Sequence, residues 1–143
     1  MTVMATSSET MLSVTATLGV GDDAGVAATT SIAPISPTTE AYIGAGAKVS
    51  AGGAMTITAT ETFITTMIAG SVGVGGTAGV GAANTTLVYS PTTLAYAGTG
   101  VILVAGGAGL TVSATQSENI LAITAGIAAG GTAGWQDPPR WRC

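Results

Sequence analysis

The chain has no histidine, a single cysteine, one phenylalanine and only three Lys and Arg among its 143 residues. Each shortage excludes something. Without histidine the commonest general base is missing, so proton-transfer chemistry would rest on scattered carboxylates. Cys143 is the last residue and stands alone, which rules out an intrachain disulfide and any metal centre built from thiolates or imidazoles. Lys48 is the only base before residue 140, set against Glu9, Asp22, Asp23, Glu40, Glu61 and Glu118. Such a base-poor chain has nothing to offer the phosphates of nucleic acid, so no nucleic-acid partner is expected. Aromatics are 4% and charged residues 7% of the chain, too few large groups for a thick globular core. Small side chains stacked between closely spaced sheets are the core that remains possible. No cofactor, metal or catalytic residue is predicted.

What is present is a repeat. Residues 41–60 read AYIGAGAKVSAGGAMTITAT. Met55, Ile57 and Ala59 alternate there with Thr56, Thr58 and Thr60, an apolar-in, hydroxyl-out strand pattern. Short strand-like pieces precede it, separated by glycines. Gly52 and Gly53 are the expected seat of a sharp positive-φ turn. Ala105 to Ala108 repeats Ala51 to Ala54 at 105 − 51 = 54, and Ser90-Pro91 repeats Ser36-Pro37 at the same period. After a one-residue insertion, Leu110, Val112 and Ala114 take the places of Met55, Ile57 and Ala59. A period above the roughly 20–50 residues of ordinary solenoid repeats predicts more than one coil per repeat.

A longer alternation follows in each copy. Leu12, Val14, Ala16, Leu18 and Val20 share one side, expected to be inward, and Ser13, Thr15 and Thr17 the other. The corresponding inward sets are Ile68, Gly70, Val72 and Val74, then Leu121, Ile123, Ala125, Ile127 and Ala129. Glycine turns close these runs at residues 21–25, 75–79 and 130–134, each a hairpin or a corner of a coil. Pro37 and Pro91 mark strand ends, since proline cannot donate to a ladder. The expected fold is all-β, a β-solenoid, with a β-sandwich or a β-roll of hairpins as the alternative. The repeat region covers residues 1–134, in copies of about 5–58, 59–113 and a truncated 114–134. Residues 135–143 share nothing with it and read as an unrelated end, or else as a cap over the last coil. The opening MTVMATSSETMLSV has no basic n-region or continuous apolar core. Val3, Ala5 and Thr6 match Ile57, Ala59 and Thr60, so the chain is expected to be a segment of a longer protein.

Several patterns resemble sites. Gly73, Gly75 and Gly79 approach a dinucleotide fingerprint, but the spacing is wrong and no helix follows. Asp22 and Asp23 occur once and give way to Gly76 and Thr77, so they read as a solvated turn rather than a calcium site. Uncharged runs at 67–83 and 120–135 could be taken for membrane spans, yet threonine recurs in them and the first copy carries Asp22 and Asp23. Glu9, Glu40, Glu61 and Glu118 read as solubilising charges near strand ends, with a carbohydrate-active pair as the competing reading. Outward threonines could order water, as on ice-binding solenoids. Read as irregular rows in overlong copies, they are explained by β-propensity.

The pattern T-x-A-Y-I-G-x-G-A-x-V-x-A-G-G-x-x-T-I-T-A-T at 39–60, with G-G-T-A-G-V-G at 75–81, resembles the repeats of large secreted bacterial adhesins of the filamentous-haemagglutinin and autotransporter type. The resemblance covers residues 1 to about 134. It implies a right-handed parallel β-helix at the cell surface or outside the cell, serving as a stalk or adhesive fibre rather than an enzyme. The implied partners are neighbouring repeats and a host surface or glycan, with outer-membrane association through regions outside this sequence. No functional residue carries over.

Overall fold

The computed structural model describes residues 1–107 and 109–131. Over these residues the chain is all-β. In order, the strands are β1 (Thr2–Gly21), β2 (Ala24–Ile35), β3 (Thr38–Ile43), β4 (Lys48–Ala51), β5 (Met55–Gly75), β6 (Ala78–Tyr89), β7 (Thr92–Ala97), β8 (Ile102–Ala105) and β9 (Leu110–Gly130). The expected tail at 135–143 lies outside the described residues.

The strands form a three-stranded sheet β1-β5-β9 and the two-stranded sheets β2-β6, β3-β7 and β4-β8. Every neighbour is the equivalent strand of the next copy. Thr38 lies opposite Thr92 and Tyr42 opposite Tyr96 in β3-β7, and Lys48 lies opposite Ile102 in β4-β8, all parallel and all 54 apart. Along β1-β5 the Thr56 N–H donates to the Met1 carbonyl and the Gly76 N–H to the Gly21 carbonyl. The separations, 56 − 1 = 55 and 76 − 21 = 55, agree at both ends of the strand, as a parallel register requires. The Met55 N–H donates to the Gly109 carbonyl, which sets Leu110 opposite Met55 and absorbs the one-residue insertion before β9. One period therefore separates hydrogen-bonded neighbours. The expectation of several coils per repeat fails, because an intervening coil would put half a period between partners.

The chain divides into two compact units. Unit 1 comprises Met1–Met11, Ala33–Thr65 and Leu87–Ile120. Its core is Ala41 and Ile43 of β3 against Ile57 and Ala59 of β5, with Val3, Ala5, Val49, Ala95 and Leu103 packed around them. The alternation expected at residues 55–60 is present, with Met55 and Ile57 each 1% exposed. Burial weakens toward the outer strands: Leu110 and Val112 take the positions of Met55 and Ile57 in β9 yet are exposed, since β9 is an edge. The positive φ in the β3–β4 turn falls on Gly46 (73°), matched by Gly100 (69°) between β7 and β8, and not on Gly52 or Gly53 as expected. Ala47 N–H bonds back to the Gly44 carbonyl, so the tight turn is at 44–47.

Unit 2 comprises Leu12–Ile32, Thr66–Thr86 and the chain from Leu121. Here the expected facing is reversed. Leu12, Val14, Leu18 and Val20 are exposed, Val20 to 73%, and so are Ile68, Val74, Leu121, Ile123 and Ile127. The opposite side, with Met67, Ala69, Ser71, Gly73 and Gly75 in β5, is buried. The reason is spacing. The glycine turns at 21–25 and 75–79 are corners and not hairpins: β1 bonds to β5 while β2 bonds to β6, so β1 and β2 face each other across two sheets. The third glycine turn, at 130–134, falls largely outside the described residues. A Cβ on Gly19 would run into the Val26 carbonyl, and one on Gly73 into the Val80 carbonyl. Face-to-face sheets ordinarily sit about 10 Å apart to hold side chains. Around Gly19, Gly21, Gly73 and Gly75 the backbones meet, so glycine and short hydroxyl residues fill the inside there. Thr29 donates to the Gly70 carbonyl at 2.9 Å and shares a hydrogen bond with Thr17, while Ser13 and Ser31 pair at 3.1 Å.

Candidate functional site

The densest polar arrangement lies inside unit 1, on the inward side of β5. Period two puts Glu61 on the same side as Ile57, Ala59 and Phe63. The side chain is 1% exposed. A carboxylate in such a place needs donors, because an unpaired buried charge costs several kcal/mol. Two are supplied by later strands. Tyr89, the last residue of β6, donates its hydroxyl to Oε1 at 2.6 Å, and Thr93 of β7 donates to Oε2 at 2.7 Å. The Tyr89 ring lies on Phe63, with centroids 4.3 Å apart and planes 13° from parallel. Burial, then the Glu61 hydrogen bond and charge, then the charges of Glu118 and Glu9, push the Tyr89 phenol well above its ordinary range. It stays a donor at every ordinary pH.

The register brings Glu9 of β1 and Glu118 of β9 to the positions flanking Phe63, and Ser7 and Gln116 to those flanking Glu61. Gln116 donates to Glu118. Glu9, Glu40, Glu61 and Glu118 thus all lie within strands, and the expectation of charges at strand ends fails for each. Glu9, Glu40 and Glu118 are exposed, whereas Glu61 is not. Asp22 and Asp23 do occupy an exposed turn, between β1 and β2, where the Asp23 carbonyl accepts from the Thr77 and Ala78 N–H groups. Gly73 and Gly75 are enclosed between sheets.

No family model, curated protein or solved structure matches the chain. The chemistry of the Glu61 cluster therefore has to be read from its own geometry. Its carboxylate has both oxygens taken, and the ring of its donor Tyr89 is stacked on Phe63. Among the described residues no pocket opens on the chain, and no three His, Cys, Asp or Glu side chains come close enough to share a metal ion. A buried carboxylate hydrogen-bonded in this way fixes packing. It ties β5, β6 and β7 together at one point.

Sequence reasoning missed Tyr89 and Thr93, although a signal existed. At the 54-residue period Glu61 aligns with Ser7 and Tyr89 with Ile35, so the acid and its phenol donor are gained together in the second copy.

Proposed function

We propose that this chain is a segment of a right-handed parallel β-solenoid with coils of 54–55 residues, belonging to a bacterial surface or secreted protein and acting as a stiff stalk or adhesive spacer without catalytic chemistry. The observation that carries this reading is the constant register. Thr38 to Thr92, Lys48 to Ile102 and Thr2 to Thr56 all pair at one period, and Thr39, Ala41 and Tyr42 lie over Thr93, Ala95 and Tyr96. Neighbouring repeats of a longer chain are the natural partners, since among the described residues β1 and β9 each leave one edge unpaired. A host surface or glycan is the far contact that such a spacer would serve.

Length measures this directly. In chains carrying two to six tandem copies, electron microscopy should show particles lengthening by about 4.8 Å, one strand spacing, per added copy. Particles that grow equally in all directions would end the reading. A second reading, membrane embedding, draws on the exposed Leu12, Val14, Leu18 and Val20 side chains of unit 2. It is opposed by Asp22 and Asp23, two charges exposed in the turn that directly follows these residues.

A further inference from the structure

The outward side of the three-stranded sheet in unit 1 is a lattice of hydroxyls. The registers place Thr2, Thr56 and Thr111 in one row, Thr6, Thr60 and Thr115 in another, and Ser8, Thr62 and Ser117 in a third. Between the first two rows lie Met4, Thr58 and Ser113, so Met4 alone breaks the pattern. Rows that were expected to be irregular are regular, because the period is one coil and equivalent residues fall side by side.

Three properties of this face bear on what it can bind. Its repeat distances are set by the β-sheet, about 4.8 Å across the strands and about 6.7 Å along them. No charged side chain stands among these positions, since Glu9, Glu61 and Glu118 are all on the other side of their strands. The hydroxyls are also free to face solvent: among the described residues, the side-chain hydrogen bonds of the unit lie on the other side of these strands, Tyr89 and Thr93 to the buried Glu61 and Gln116 to the exposed Glu118. Threonine is stiff at χ1, so each hydroxyl and methyl is held in place before anything binds.

We propose that this face binds ordered water in its solid form, with the threonine hydroxyls taking lattice positions and the methyls lying between them, so that the chain adsorbs to ice. A rigid, uncharged, periodic array suits a periodic ligand, because waters bridging fixed groups lose little further freedom. Other ligands fit less well. A protein partner would want large aromatic or arginine anchors, which the face lacks. A sugar ring would want an open aromatic face, whereas the exposed rings of unit 1, Tyr42 and Tyr96, lie on β3 and β7 and cover each other at 5.3 Å.

The test is growth of a single ice crystal in a solution of the full chain, read as the gap between its melting and growth temperatures. Wild type should open such a gap and shape the crystal. Thr58→Tyr and Thr60→Tyr keep strand propensity but put bulk on the lattice, and should lose most of the gap. Thr58→Val should lose part of it by removing a hydroxyl alone. Thr38→Tyr, on the exposed side of β3, should leave the gap unchanged. Circular dichroism confirms that each variant keeps its β spectrum. Wild-type chain that leaves ice growth untouched overturns the proposal whatever the variants do. So does equal activity in wild type and Thr60→Tyr, and so does adsorption to crystalline cellulose without any effect on ice.

Discussion

At the scale of single residues, the most informative side chain is Glu61, an acid that the strand pattern places inside. Its neighbours reveal how the interior of a parallel all-β fold admits a charge: a tyrosine and a threonine from separate strands supply one hydrogen bond to each oxygen. Tyr89 carries a pH consequence. Its phenol is raised above the ordinary value of 10.0 by burial first and Glu61 second, whereas in the unfolded chain it titrates near that value. A group whose folded pKa is raised contributes its full stability below the unfolded pKa, and loses it as pH climbs toward the folded one. Urea midpoints should therefore hold level up to about pH 10 and fall above it. Tyr89→Phe should remove that part of the alkaline fall and cost about 1–3 kcal/mol at neutral pH, by leaving Oε1 of Glu61 without its donor. An unchanged alkaline limb in the variant would show that Tyr89 does not set it.

At the scale of elements, the glycine corners decide which way the strands face. Period two was legible in the sequence, and so was the inward set Met55, Ile57 and Ala59. The facing of Leu12 to Val20 was not, because alternation says which residues share a side but not which side is inside. The usual rule places apolar groups within. It fails here because Gly19 and Gly21 of β1, and Gly73 and Gly75 of β5, are in phase with the hydroxyl residues and let the sheets close to backbone contact. Beside those glycines leucine and valine have no room on that side. The glycine phase was in the sequence and outweighs hydropathy. Glu61 with Tyr89 was legible only by comparing copies, since a lone glutamate in a strand gives no sign of its partner. It follows that Gly73→Ala, whose Cβ would meet the Val80 backbone, should destabilise by about 3 kcal/mol, the upper end for overpacking. Gly70→Ala, with open space around its Cβ, should stay within about 1 kcal/mol of wild type. Denaturant midpoints at constant m-value read both, and equal effects would refute the corner argument.

At the scale of the whole molecule, stability is held between copies rather than within them. Each strand's hydrogen-bonded neighbour is a full period away, and the most buried strand, β5, is the one with a neighbour on both sides. A single copy has no such strand. Residues 1–54 alone should show no cooperative unfolding, and removal of residues 110–143 should expose Met55, Ile57 and Phe63 and strip the transition of its sharpness. Calorimetry of the two truncations against the full chain measures this, and a sharp transition in the single copy would contradict it. Closing each contact over a whole period also makes folding slow, on the millisecond-to-second scale of all-β domains with distant pairings.

The extra residue between β8 and β9 has a practical outcome. It is taken up at a bend where Gly107 and Gly109 adopt φ of 120° and 87°, so β9 still aligns Leu110 with Met55. The same addition inside a strand would turn every following side chain over. Length can drift at this bend without cost to the ladders on either side. An engineer wishing to display a foreign peptide, or a genome accumulating small insertions, would find its tolerated address there.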